Sequence, residues 1–164
     1  EIISSDFENL AFVKGEPYSA FGPRRKLRRI AKVKLKNTKR PFPLNSMGDG
    51  MLRILQLSLN IFPAMNGFLL IDEFENGLHY SVQEKVWELL FDLANRFDIQ
   101  VFATTHSWDC VDSFAKVAAR SQNIEGVLFR VGQSIRTSDN GKVIATEFDK
   151  EKLATLTQAD VDVR

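Results

Sequence analysis

The chain has 164 residues, of which 44% are hydrophobic and 26% are charged, and its formal net charge is only +1. This length can bury one hydrophobic core, and thirteen Phe residues predict a globular protein. Its apolar runs fall short of the roughly 20 residues that span a membrane, and a single cysteine excludes an intramolecular disulfide. We therefore expect a cytoplasmic protein with no membrane partner, in which Cys110 is an inert core residue.

The first part of the chain is strongly basic. Residues 1–50 carry 11 Lys or Arg and 5 Asp or Glu, a net charge of +6, whereas residues 51–164 carry 11 and 16, a net charge of −5. Ten of the seventeen residues in Arg24–Arg40 are Lys or Arg. Apolar and basic residues alternate strictly from Val33 to Lys36, which predicts a strand ended by Pro41 and Pro43. Its basic face is either simply solvated or a contact for the phosphates of DNA or RNA.

The middle of the chain predicts a strand–helix–strand unit. A polar loop at 45–50 precedes a helix from Gly50 to Phe62, and an apolar run from Phe68 to Asp72 reads as a buried strand. Ser81, with Glu84 three residues later, predicts the N-cap of a helix that ends near Phe97. A second strand at 99–104 makes this a parallel βαβ unit, which places the protein in the α/β class.

The last third of the chain predicts shorter elements. A helix should follow Ser107 and end near Ala119. Strand candidates lie at 126–131, 133–137 and 142–148, with a turn at Asp139-Asn140-Gly141 between the last two. A final helix is predicted over 149–157.

Polar residues follow both strands of the parallel pair. Asp72 and Glu73 come directly after the first strand, and Thr104-Thr105-His106-Ser107 ends the second. Because the carboxyl ends of parallel strands meet at one edge of a sheet, two acids and a histidine should lie close together there. A buried carboxylate is costly unless it is paired or near a metal, so the pattern indicates a site.

Four segments together resemble ABC-type ATPases. Phe68 to Glu73 resembles a Walker B strand, Thr-Thr-His106-Ser resembles the switch-histidine loop, Ser46-Met-Gly48-Asp-Gly50 resembles the signature loop, and Glu75-Asn-Gly-Leu-His79 resembles the D-loop. They occur in the family's order over residues 30–131. The sequences of these segments most resemble the AAA-type branch that includes the overcoming-lysogenisation-defect (OLD) nucleases. RecF and SMC proteins are more distant.

One expected motif is missing. A Walker A loop needs Gly, four residues, then Gly-Lys-Ser/Thr, whereas Gly141-Lys142 is followed by Val143. The resemblance therefore implies that residues 1–164 form a single domain, the C-terminal lobe of a P-loop ATPase head, in a chain that is a piece of a longer polypeptide. Within it we distinguish a basic strand region at 1–45, a core at 46–131 that carries the motifs, and C-terminal strands and a helix at 132–164.

The resemblance also implies a role for each site residue. Asp72 would hold Mg²⁺, Glu73 would orient and polarise the attacking water, and His106 would contact the γ-phosphate of ATP. Ser46, Gly48 and Gly50 would bind the phosphate of ATP held by the opposite protomer of a head-to-head homodimer, and Asn76 is counted with these nucleotide-binding residues.

Other interpretations stay open at this stage. Glu75, Asn76 and the Ser46–Gly50 segment could be turn and cap residues, and His79 could be a surface residue before a helix. The whole domain could also be a nucleic-acid-binding or regulatory module that has kept an ATPase fold without turnover. Asp160 and Asp162 do not make a convincing nuclease site.

Overall fold

The computed structural model describes residues 6–14, 29–122, 125–134, 136, 138 and 140–159, without the side chains of residues 154 and 156–159. The chain divides into two compact units, residues 1–59 and residues 60–164. Some residues of the sequence predictions lie outside the described residues: residues 24–28 of the basic stretch Arg24–Arg40, the turn residue Asp139, and the terminal Asp160 and Asp162.

The first unit contains a three-stranded antiparallel sheet in the order β1-β2-β3, formed by Phe7–Lys14, Arg29–Leu35 and Phe42–Pro43. The predicted basic strand is present as β2, with Val33 fully buried opposite Leu10. It ends at Leu35, earlier than predicted, and Pro43 does not terminate it but pairs with it in β3. This is possible because β3 is an edge strand, where a residue without an N–H group is tolerated.

A short 3₁₀ turn at Leu44–Met47 leads into helix α1, Asp49–Ile61, and a second 3₁₀ turn follows at Phe62–Ala64. The observed α1 therefore begins and ends one residue before the predicted helix. Pro63 lies in the second turn, because proline cannot donate the hydrogen bond that would continue an α-helix.

The second unit confirms the predicted βαβ arrangement. Strand β4 (Gly67–Ile71), helix α2 (Tyr80–Phe97) and strand β5 (Ile99–Ala103) follow one another, and the strands pair in parallel with Leu69 opposite Val101. Helix α3 (Trp108–Arg120) packs against α2. The buried residues of this unit include Val86, Leu90 and, as expected, Cys110.

The strand that the sequence predicted to be buried is buried on only one face in the described structure. Leu69 and Ile71 are buried, but Phe68 and Leu70 point to the opposite face and are 67% and 75% exposed. Phe102 of β5 lies on the same open face, with its ring centroid 6.2 Å from that of Phe68. We call Phe68, Leu70 and Phe102 the open apolar face.

The start of α2 also differs from the prediction. The N-cap is His79, whose Nδ1 accepts the backbone N–H of Ser81 at 3.4 Å, so Ser81 lies inside the first turn. Glu84 does not complete a capping box; it forms an ion pair with Arg120 of α3 at 2.7 Å. The imidazole of His79 provides the acceptor that a serine hydroxyl would otherwise supply.

The C-terminal part consists of a hairpin and a helix. Strands β6 (Leu128–Gln133) and β7 (Val143–Phe148) pair antiparallel, and α4 spans Lys150–Ala159. The prediction of a separate strand at 133–137 is wrong, because Gln133 belongs to β6. Residues 135 and 137 are not described. Asn140 and Gly141 both have positive φ, 47° and 75°, which fits the predicted tight turn.

Leu153 of α4 is fully buried against Ala115 and Ala118 of α3. Among the described residues, no helix has both the length and the apolar character needed to cross a bilayer.

Candidate functional site

The two strand-end segments are joined by backbone hydrogen bonds. We call residues 72–79 the acidic loop and residues 104–107 the histidine loop. The Thr104 N–H donates to the Ile71 carbonyl and the Phe74 N–H donates to the Thr104 carbonyl, each at 2.9 Å. The parallel pairing thus continues one step beyond β4 and β5, and it brings the predicted acids and the histidine segment to one sheet edge.

Thr104 contacts both predicted acids. Its hydroxyl donates to Asp72 Oδ1 at 2.6 Å and accepts the Glu73 N–H at 2.9 Å. Both roles are compatible, since a hydroxyl carries one donor and two acceptor sites. Sequence reasoning did not single out this residue. The register could have done so, because Ile71 pairs with Ala103 and the next residues of the two strands are Asp72 and Thr104.

Glu73 has an unusual backbone conformation. Its φ of 47° lies in the left-handed region, which costs a residue with a side chain some free energy and is found preferentially at functional sites. The side chain is exposed, and Asn76 Nδ2 donates to its Oε2. The structure therefore places Asn76 against the predicted catalytic carboxylate in this chain.

Phe74 fixes the orientation of the acidic loop. It is fully buried, and its ring stacks on Trp87 of α2 with centroids 3.8 Å apart and an interplanar angle of 9°. Asp72 and Glu73, on the preceding positions, are exposed at the sheet edge. An apolar residue anchored in the core thus holds the two carboxylates toward solvent.

Glu75 connects the acidic loop to the histidine loop. Its Oε1 accepts the His106 N–H at 2.9 Å. Burial acts to raise the pKa of Glu75, but the Thr105 hydroxyl, the His106 N–H and the charge of the His106 ring outweigh it and lower that pKa below its usual value. The His106 side chain itself is exposed.

The predicted signature-loop residues belong to the first unit. Ser46 lies in the 3₁₀ turn, Gly48 follows it with a φ of 97°, and Gly50 lies in the first turn of α1. Ser46 and Gly48 are exposed. Gly48 is needed there for its backbone, because a residue with a Cβ atom rarely adopts that φ.

The donor set at the sheet edge fits a magnesium ion that is shared with a ligand. The described residues contain no group of three or more His, Cys, Asp and Glu side chains that could hold a metal by themselves. Mg²⁺ often takes only one or two protein carboxylates and completes its shell with water and substrate phosphates. Asp72, exposed and oriented by Thr104, can supply such a carboxylate.

Comparison with known proteins identifies the family. Residues 24–109 match the family described as "AAA domain, putative AbiEii toxin, Type IV TA system", and this segment is more than half of the chain. The chain belongs to this AAA-domain family. The match includes both strand-end loops and the Ser46–Gly50 segment.

Two relatives have similar sequences. A Helicobacter pylori protein named ATP/GTP phosphatase is 36% identical over 90 residues, which are 52% of this chain but 24% of that protein. The uncharacterized protein MJECL11 of Methanocaldococcus jannaschii is 34% identical over 95 residues, which are 56% of this chain and 82% of that protein. The matched part of this AAA-domain chain therefore covers about a quarter of the length of the first relative.

A solved structure shares the fold. It was determined in work on ATP-driven dimerisation and DNA-stimulated activation of SMC ATPases, and it superposes with a TM-score of 0.55 at 14% identity. The superposition covers 94% of this chain and 81% of the solved chain. The AAA-domain chain thus has the α/β fold of a P-loop ATPase lobe, with a parallel βαβ core, flanking helices and a C-terminal antiparallel hairpin.

Proposed function

We propose that this chain is the C-terminal lobe of an ATPase head that hydrolyses ATP and couples hydrolysis to dimerisation or a conformational cycle. The observation that carries the proposal is the pair of hydrogen-bonded strand-end loops. They present Asp72 and Glu73 beside the His106 segment at one sheet edge. This is the edge where open α/β sheets bind their ligands.

Each residue has a defined task in this proposal. Asp72 holds Mg²⁺, which when bound neutralises charge on the phosphates. Glu73 orients the attacking water and accepts its proton, and His106 donates to the γ-phosphate. Phosphoryl transfer depends mostly on such positioning and charge stabilisation.

The nucleotide site is proposed to be completed by a second protomer. Ser46, Gly48 and Gly50 would offer a hydroxyl group, backbone N–H groups and a helix N-terminus to the γ-phosphate of ATP bound opposite. Asn76 would bind the same nucleotide or contact the dimer partner after its hydrogen bond to Glu73 breaks. This arrangement is a head-to-head homodimer.

The phosphate-binding Walker A half is proposed to lie in another part of a longer parent protein. The open apolar face supports this, because parallel sheets normally carry covering elements on both faces. Within the family we propose that the parent belongs to the OLD-type branch, because of its Asp-Glu-Phe-Glu-Asn-Gly-Leu-His segment. We also propose that the parent is a cytoplasmic protein. We expect the 164-residue chain alone to be inactive.

The Glu73→Gln variant of the parent protein tests the proposal. We expect ATP affinity to stay close to wild type, because the amide keeps the shape of the side chain. Turnover should fall by about 10²- to 10⁴-fold, since proton acceptance by the carboxylate is lost. Steady-state ATPase assays and calorimetry measure the two quantities.

Glu147→Gln is a matched control, because Glu147 is an exposed acid on β7 outside the two loops. It should behave as wild type. Near-normal turnover of Glu73→Gln would remove Glu73 as the catalytic carboxylate. Nucleotide binding without turnover in the wild-type parent would favour the regulatory module.

Nucleic acid is a further candidate ligand, through the basic stretch Arg24–Arg40. Arg29, Lys39 and Arg40 are exposed, but Lys34 is paired with Glu8 at 2.7 Å. Contacts to phosphates would make binding weaken steeply with salt. Replacing Arg24, Arg25, Arg28 and Arg29 with Ala should then reduce both affinity and salt dependence, and unchanged DNA and RNA binding would exclude this surface.

A further inference from the structure

His106 lies in the histidine loop, between strand β5 and helix α3 of the described chain. Strand β5 ends at Ala103 and α3 begins at Trp108, so the His106 N–H belongs to neither element. The Glu75 carboxylate satisfies this donor at 2.9 Å.

The contact is of a strong type, and it adds to the hydrogen bonds of Thr104 that already join the acidic loop and the histidine loop. A hydrogen bond to an ionised carboxylate is roughly twice as strong as one between neutral groups. Glu75 is half-buried, and its own backbone carbonyl accepts the Leu78 N–H at 2.8 Å, which folds the acidic loop into a turn. Leu78 is itself buried. The carboxylate that reaches His106 therefore comes from a well-anchored backbone.

We propose that Glu75 is a positioning residue that holds the backbone of His106 and so fixes where the imidazole reaches the nucleotide. This rests on the proposed ATPase function and adds a residue that acts through His106 without touching the substrate. The same contact couples the acidic loop, with Asn76 and His79, to the histidine loop. A shift of the acidic loop on dimerisation would then reposition His106.

Kinetics of the parent protein test this role. Glu75→Ala should lower kcat by about 10-fold with KM changed less than about 3-fold, because the contact matters for the reacting geometry and not for nucleotide capture. Glu75→Gln keeps an oxygen acceptor and should recover most of the loss. In a His106→Ala background, Glu75→Ala should have little further effect, since residues that act as a unit are non-additive.

Fully multiplicative effects of Glu75→Ala and His106→Ala would overturn the proposal, because Glu75 would then act independently of His106. Equal losses in Glu75→Gln and Glu75→Ala would also overturn it, since the acceptor oxygen would not matter. Glu147→Gln serves as the matched control and should leave kcat and KM unchanged.

Hydrogen exchange of the His106 amide in the parent protein separates this inference from the ATPase proposal. Glu75→Ala should accelerate exchange at this amide by about 10-fold or more, Glu75→Gln should have a smaller effect, and Glu147→Gln should have none. If wild type shows no ATPase activity, the proposed function fails while the exchange result still decides the role of Glu75. Unchanged exchange in Glu75→Ala would overturn the positioning role even in an active ATPase.

Discussion

Thr104 determines how the two acids of the candidate site are held. One hydroxyl group donates to Asp72 and accepts the N–H of Glu73, the residue whose backbone adopts a positive φ. A strained backbone conformation persists only when neighbouring contacts hold it. We therefore regard Thr104 as part of the support for both carboxylates.

Replacing Thr104 by Val in the parent protein should lower ATP turnover by about 10-fold, because the isosteric side chain removes both hydrogen bonds. Thr104→Ser keeps the hydroxyl and should stay within about 3-fold of wild type. The measurement is steady-state ATPase activity. Equal activity of the Val and Ser variants would show that the hydroxyl has no part in holding the acids.

At the level of elements, the acidic loop depends on α2 and α3. Phe74 stacks on Trp87 of α2, and Trp87 makes an edge-on contact with Phe114 of α3, with centroids 5.1 Å apart. Aromatic rings bury large areas and gain further from such geometries. The packing of α2 and α3 therefore determines the position of the carboxylates next to Phe74.

Phe74→Ala should reduce the free energy of unfolding by about 3–5 kcal/mol, because it leaves a cavity beside Trp87. The control Phe129→Ala, at a residue that is 57% exposed on β6, should change it by less than about 0.5 kcal/mol. Urea denaturation of the parent protein measures both. Similar small changes in the two variants would contradict the anchoring role of Phe74.

At the scale of the whole molecule, the open apolar face is the feature that tests whether another element covers the sheet in the proposed parent protein. Leu70 is 75% exposed although it lies in a parallel strand, while its neighbour Leu69 is 7% exposed. A covering element in the parent protein would bury Leu70. The two adjacent leucines then form a matched pair for testing whether the parent covers this face.

Leu69→Ala should lower the free energy of unfolding by about 2–5 kcal/mol in both the 164-residue chain and the parent protein. Leu70→Ala should change it by less than about 0.5 kcal/mol in the chain alone but by about 2–5 kcal/mol in the parent. Chemical denaturation provides the values. A small effect of Leu70→Ala in both proteins would mean that the face stays open.

Local patterns in the sequence were sufficient to predict the βαβ core and the position of Asp72, Glu73 and the His106 segment at one sheet edge. An apolar run, a helical periodicity and the geometry of parallel strands all act over short distances. The contacts that orient these residues were decided only by tertiary structure. The strand register brings the Thr104 hydroxyl to Asp72, and the Glu75 carboxylate accepts a hydrogen bond from His106 in the other loop. Glu84 forms an ion pair with Arg120 and not the predicted cap. Such contacts join residues far apart in the chain, and the side chain that satisfies a given donor depends on which elements lie beside it.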